Sequence, residues 1–260
     1  MKVRLAVTVA GALALLAGCG AGTAAAGGSA SSSAGGVRGD ITVFAAASLT
    51  ESFTALGQQF EAQHPGTKVT FSFGPSSGLA EQITQGAPAD VFASASATTM
   101  QQVTAAGDAA SPTTFAENVM EIAVPPANPA HVTGLADLAR DGVKVVLCQS
   151  QVPCGTVAAK VFANAHLTVR PVSQEADVKA VLAKVELGEA DAGVVYVSDV
   201  HAAGRKVTGL QIPAGVNAST DYPIATVKAS KNAATARAFV DLVLSATGRS
   251  ALQGAGFQAP

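Results

Sequence analysis

Tryptophan is absent from this sequence, and tyrosine occurs only twice, at Tyr196 and Tyr222. A phenol that reaches a binding site in such a chain is conspicuous. Charge is scarce as well: 13% of residues are charged and the formal net charge is −2, so no basic face is available for nucleic acid or an anionic membrane surface. No Walker A segment, GxSxG elbow or strand-borne GxGxxG is present. The four histidines, His64, His131, His166 and His201, are dispersed without metal-ligand spacing and read as surface residues. Clusters of acids are also missing, so general acid–base chemistry has no visible team, and an enzyme is not expected. No helical stretch is apolar on two faces, which argues against a pure interaction module.

What the chain does have begins with a leader. "MKVR" is a positive start, and "LAVTVAGALALLAG" is an apolar run too short for a comfortable membrane span. It ends in "LAGC", Leu16 to Cys19, which resembles the lipobox of bacterial lipoproteins. That resemblance implies a signal peptide over 1–18, cleavage before Cys19 and acylation of its thiol. Removal of 1–18 takes away Lys2 and Arg4 and shifts the formal charge from −2 to −4. Residues 19–39 are rich in Gly, Ser and Ala and read as a flexible tether. The expected location is therefore extracytoplasmic, with a multiply acylated Cys19 as membrane anchor, because one acyl chain holds only marginally.

The third lack is cysteine. Besides Cys19 only Cys148 and Cys154 remain, in "LCQSQVPCG". In an oxidising compartment so close a pair is a disulfide candidate that would stiffen its loop; two free buried thiols are the alternative.

The rest is apolar enough, at 48% hydrophobic residues, for a substantial core. Apolar strands such as "ITVFAAA", "KVTFSFG", "VKVVLC" and "AGVVYVS" alternate with amphipathic helical stretches. This rhythm predicts an α/β fold with mixed, mostly parallel sheets and flanking helices. Two domains fit the length better than one sheet, with crossovers near Met120–Val124 and Tyr222–Val227. The expected division is 40–122 plus 223–260 for domain I and 123–222 for domain II, with ligand in the cleft between them.

Four helix starts share a pattern. "SLTE" at Ser48 reads as a capping box with Glu51. "FGPSSG" leads into a helix at Ser76 and Ser77. "VPCG" introduces another at Cys154, and Asp177 opens a fourth that carries Val178, Val181, Leu182 and Val185 on one face and ends at Gly188. Each N-terminus exposes unpaired N–H groups and about half a positive charge. Aimed at one point, with hydroxyls from Ser48 and Ser76 added, they would hold an anion without lysine or arginine. Ala46, Ala47, Gly78 and Gly155 are small enough to let the backbone approach.

"VFAAASLTESF", "FGPSSGLAEQITQGAPADVFASA", "VPCG", "EADVKAVLAKVELGEADAGVVYVSD" and "YPIA", in this order, resemble the molybdate-binding proteins of bacterial ABC importers. The likeness runs from about Ile41 to the C-terminus. It implies a type II periplasmic-binding-protein fold, a monomer that delivers molybdate or tungstate to importer membrane subunits, and no cofactor. It also implies a donor set: the hydroxyls of Ser48, Ser76 and Tyr196 and the backbone N–H groups of Cys154 and Val178. Alanine is commoner than cysteine at the Cys154 position in that family, and "GPSSG" replaces a more serine-rich loop, which leaves Ser76 or Ser77 open, with Ser76 preferred.

Another tetrahedral oxyanion such as sulfate is the alternative ligand. Phosphate carries protons at neutral pH and would need an acceptor, which these corners lack apart from Asp177. Iron sites with paired tyrosines are not expected, since Tyr196 and Tyr222 are far apart in sequence and Tyr222 falls in a crossover.

Overall fold

A computed structural model describes residues 37–260. The signal segment, Cys19 and nearly all of the tether lie outside the described residues.

The first element, β1 (Ile41–Ala46), is flanked in parallel by β2 (Val69–Gly74) and β3 (Val91–Ala93). Along these strands the side chains alternate between two cores. Val43, Ala45, Val91 and Ala93 join one cluster with Phe53, Phe60 and Phe239, while Phe44 and Phe92 join another with Leu79, Ile83 and Met100. Helices cover both faces, which explains why the strands read as continuous apolar runs. On one face lies α1 (Thr50–Gln63), whose Phe53, Leu56 and Phe60 are fully buried at helical spacing. On the other lie α2 (Ser76–Thr84) and α3 (Ala97–Ala105).

The long β4 (Thr113–Val124) carries the chain out of this half. After β5 (Val145–Cys148) come α4 (Pro153–Asn164), β6 (Ser173–Glu175) and α5 (Val178–Glu186). Then follow β7 (Ala192–Tyr196), α6 (Val197–Ala203) and β8 (Thr208–Gln211). Buried apolar residues between Met120 and Ile212 form a single cluster here. The strand β9 (Ser219–Thr226) returns, and α7 (Ala233–Leu244) and α8 (Ala246–Gly254) pack back against the first half.

The strand order is β2-β1-β3-β9-β4-β7-β5-β6, with β8 on β4. The parallel pairs are β1 with β2 and β3, and β5 with β6 and β7. Every antiparallel pair involves β4 or β9. The parallel βαβ character thus holds within each half, and the two connecting strands supply the antiparallel part. Residues Thr113–Val119 of β4 pair with β9, whereas Met120–Val124 pair with β7 and β8. Among the described residues no helix is long and apolar enough to cross a membrane.

Candidate functional site

Five helix starts face one small cavity. Ala46, Ala47 and Ser48 precede α1, Gly74 and Pro75 precede α2, and Ser76 begins it. Val152, Pro153 and Cys154 form the start of α4, Asp177 and Val178 that of α5, and Tyr196 stands just before α6. The cavity measures about 20 Å³, against about 600 and 560 Å³ for two other pockets. It therefore suits one compact solute. Among the described residues no lysine or arginine lines it.

All five residues expected as donors are brought together in this wall, and all five are buried. Ser76 lines the cavity and Ser77 does not. The Ser76 Oγ accepts a hydrogen bond from Ala95 N at 3.0 Å. That contact uses a lone pair and leaves the Ser76 proton free to donate. Cys154 and Val178 sit in the first turns of α4 and α5, where N–H groups have no intrahelical acceptor. Asp177, the one acid in the wall, is turned to its own helix: its Oδ1 accepts from Ala180 N at 3.0 Å as a cap.

The Tyr196 hydroxyl is the least satisfied group of the set. It is buried, and although the Tyr222 hydroxyl is near enough to influence it, among the described residues nothing meets it at hydrogen-bond distance and angle. Burial, then the neighbouring Tyr222 and Asp199, push it well above the ordinary phenol range, so it is held as a neutral donor.

Ser48 corrects the capping-box expectation. Between β1 and α1 the chain makes a 3-10 turn, Ala47–Leu49, so that Leu49 rather than Ser48 occupies the position before the helix. The turn directs the Ser48 hydroxyl inward, where its Oγ lies 2.8 Å from Tyr222 Oη. Glu51 does not reach back either; its carboxylate meets Lys179 Nζ at 2.8 and 3.0 Å.

The two tyrosines, distant in sequence, are neighbours in space. Tyr222 is opposite Ala116 on β4, and Tyr196 is opposite Met120. An even separation along β4 puts both rings on one face, and they pack edge-to-face with centroids 6.1 Å apart. They do not form a phenolate pair for a cation. Tyr222 does not line the cavity, and burial pushes its hydroxyl well above the usual range too. The proximity of Tyr222 to Ser48 was not legible, because residues 174 positions apart leave no local signal.

Behind Tyr196 lies a buried carboxylate. Asp199 is fully buried and accepts from Tyr196 N at 3.1 Å through Oδ2. Its Oδ1 has no hydrogen bond, but Lys179 Nζ stands 3.4 Å away at ion-pair distance. Burial raises its pKa to about 6, against the pull of Lys179.

Cys148 and Cys154 form a disulfide, with Cα atoms 5.8 Å apart, that ties the end of β5 to the first turn of α4. Of the two glycines expected to allow close approach, Gly155 does so: a Cβ there would collide with the Gln149 carbonyl. Gly78 has only the Pro75 ring at 3.5 Å, ordinary contact. Among the described residues no group of three His, Cys, Asp or Glu is placed to hold a metal ion. Three of the histidines are exposed, and His64 packs on Phe60 with ring centroids 4.5 Å apart.

Residues 41–258 match the profile of the bacterial extracellular solute-binding protein family. The molybdate-binding protein ModA of Mycobacterium tuberculosis is 46% identical over 234 residues, covering 89% of this chain and 90% of that protein. The solved periplasmic molybdate-binding protein of Azotobacter vinelandii aligns with a TM-score of 0.75 at 21% identity, over 85% of this chain and 99% of that one. The sulfate-binding protein SubI of Mycobacterium tuberculosis H37Rv aligns with a TM-score of 0.76 at 19% identity, over 85% and 87%. At those identities the two structures speak for the fold alone.

Proposed function

The chain belongs to the family of bacterial extracellular solute-binding proteins, and on that footing we propose that it captures molybdate, and tungstate with it, for the membrane subunits of an ABC importer. The observation that carries this reading is the buried, unpartnered Tyr196 hydroxyl, set in a wall of helix N-termini that contains no lysine or arginine. Such a wall offers donors and partial positive charge only. It stabilises a small oxyanion by backbone and hydroxyl hydrogen bonds and discriminates by size and by the ligand's own protons.

In this reading Ser48, Ser76 and Tyr196 donate hydroxyl protons, and Cys154 and Val178 donate backbone N–H groups. Residues 40–122 with 223–260 act as one lobe and 123–222 as the other, closing on the anion from both sides. The protein is a monomer held outside the membrane by lipid on Cys19, beyond a tether that ends near Gly39. Its role ends at capture and delivery, so it needs neither cofactor nor catalytic group.

Calorimetric titration of the purified protein with molybdate, tungstate, sulfate and phosphate tests the ligand. Molybdate and tungstate are expected to bind far more tightly than sulfate, and phosphate least. Tighter sulfate binding would transfer the assignment to sulfate. Cys19→Ser is expected to move the protein from the membrane to the soluble fraction, and retention of the variant on membranes would defeat the lipid anchor.

A further inference from the structure

Tyr222 forms no part of the cavity wall, yet it sets what one wall residue can offer. Its side chain is fully buried in β9, edge-on to Phe115, Tyr196 and Phe257. Among the described residues its hydroxyl has one partner in hydrogen-bond geometry, Ser48 Oγ at 2.8 Å. The amide of Asn118 is close enough to act on the Tyr222 hydroxyl but makes no hydrogen bond to it by distance and angle; its Nδ2 donates to Ser198 Oγ at 2.7 Å and its Oδ1 accepts from Val119 N at 3.0 Å.

A hydroxyl carries one proton and two lone pairs. The bond between Ser48 and Tyr222 can therefore run in two directions. When Ser48 donates to Tyr222, the buried phenol proton has no acceptor in hydrogen-bond geometry among the described residues, and Ser48 shows lone pairs to the cavity. When Tyr222 donates to Ser48, its proton is satisfied and the Ser48 proton points to the ligand. An unsatisfied buried donor is unfavourable, so the second direction wins whenever the ligand can accept. Successive hydroxyls aligned in this way also polarise one another.

We propose that Tyr222 fixes Ser48 as a donor toward the cavity and so makes the site select fully deprotonated tetrahedral oxyanions over protonated ones. The inference rests on the oxyanion reading above and adds its specificity device. Tyr222 is a positioning residue: it acts through Ser48. A ligand that brings its own proton, such as hydrogenphosphate, asks Ser48 to accept, which strands the Tyr222 proton. Molybdate, tungstate and sulfate carry no proton at neutral pH and incur no such penalty.

The test compares the wild type with Tyr222→Phe, which keeps the ring and its aromatic contacts. Affinities for molybdate, sulfate and phosphate are measured by direct titration or by competition. In the variant, molybdate and sulfate are expected to weaken about ten-fold while phosphate does not, so the selectivity against phosphate narrows by about ten-fold. Equal weakening of all three, or an unchanged ratio, overturns the inference, because loss of packing would act on every anion alike.

A second measurement needs no variant. Chromate is a tetrahedral dianion that takes up a proton in mildly acidic solution, whereas sulfate stays deprotonated there. The affinity for chromate relative to sulfate is expected to fall with the dianion fraction as pH falls, and a constant ratio would overturn the inference. Taking the ratio cancels the influence of Asp177, Asp199, Lys179, Glu51 and Tyr196, the charged and titratable groups around Tyr222, Ser48 and the cavity, since they act on both dianions. A wild-type protein that binds none of these anions refutes the oxyanion reading and this inference with it. A wild type that binds molybdate, beside a variant with unaltered selectivity, refutes the inference alone.

Discussion

A buried phenol with no hydrogen-bond partner destabilises a protein unless something arrives to accept its proton. Among the described residues Tyr196 is in that position, and its replacement separates the two possible reasons for its presence. Tyr196→Phe removes the hydroxyl and keeps the ring. The ligand-free protein is expected to melt at the same temperature or slightly higher, because an unsatisfied donor is gone. Affinity for molybdate is expected to fall ten- to hundred-fold, the worth of one hydrogen bond to a charged acceptor at about 1.5–3 kcal/mol. Melting curves and calorimetry on the two proteins check both halves. A lower melting temperature with unchanged affinity would make Tyr196 a packing residue only. At this scale the sequence was readable by residue type and unreadable by partner. Ser48 stands out after three alanines, yet the local pattern assigns it to a cap, and only the fold reveals that its hydroxyl faces Tyr222 instead.

The elements were readable where they carry their own punctuation. Ser76 after Pro75, Cys154 after Pro153, and Asp177 before an apolar helical face all mark real helix starts. Elements without such marks were hidden. The strand β6 has three residues, too few to display a period of two, whereas β3, equally short, is announced by Pro88 in "APADVFASA". The helix α6 follows Tyr196 directly from a strand, with no breaker between them. The start of α4 is the most heavily fixed of the five. The disulfide ties it to the last residue of β5, and Gly155 leaves room only for the Gln149 carbonyl. Fixing a donor before the ligand arrives reduces the ordering cost of binding. Replacing both cysteines, Cys148→Ser with Cys154→Ala, is expected to lower stability by about 2 kcal/mol and to speed molybdate release. Denaturant titration and stopped-flow release measure the two effects. An unchanged release rate would leave the disulfide with a purely structural role and assign the rigidity of this turn to the Gly155 contact.

At the scale of the molecule, Lys179 links the two halves. Lys179 on α5 meets Glu51 on α1 at 2.8 Å and the buried Asp199 at 3.4 Å. The Glu51 side chain is 53% exposed, so that pair alone contributes well under 1 kcal/mol. Asp199 is different, because it is fully buried and depends on Lys179 for compensation. Its pKa of about 6 lies above the ordinary carboxylate value, so the native state holds this proton more tightly than the unfolded chain does. The stability that Asp199 contributes is therefore complete below the unfolded pKa, near 4, and is lost as pH rises through about 6. Lys179 limits that loss by favouring the charged form. Lys179→Met is expected to destabilise the protein at pH 7 by about 2 kcal/mol: Asp199, no longer compensated, keeps its proton about one pH unit above its wild-type pKa of about 6, which costs about 1.4 kcal/mol, and the Glu51 pair is lost as well. Near pH 4 Asp199 is protonated in the wild type and the variant alike, and the difference between them is expected to shrink to about 1 kcal/mol or less, the share of the exposed Glu51 pair. Adding Asp199→Asn to Lys179→Met is expected to restore most of the stability at pH 7, since it removes the charge that lost its partner. Denaturant titrations of the three proteins at both pH values check this. A Lys179→Met penalty that is the same at pH 4 and pH 7 would place the role of Lys179 in its packing and in its contact with Glu51, and take Asp199 out of the account.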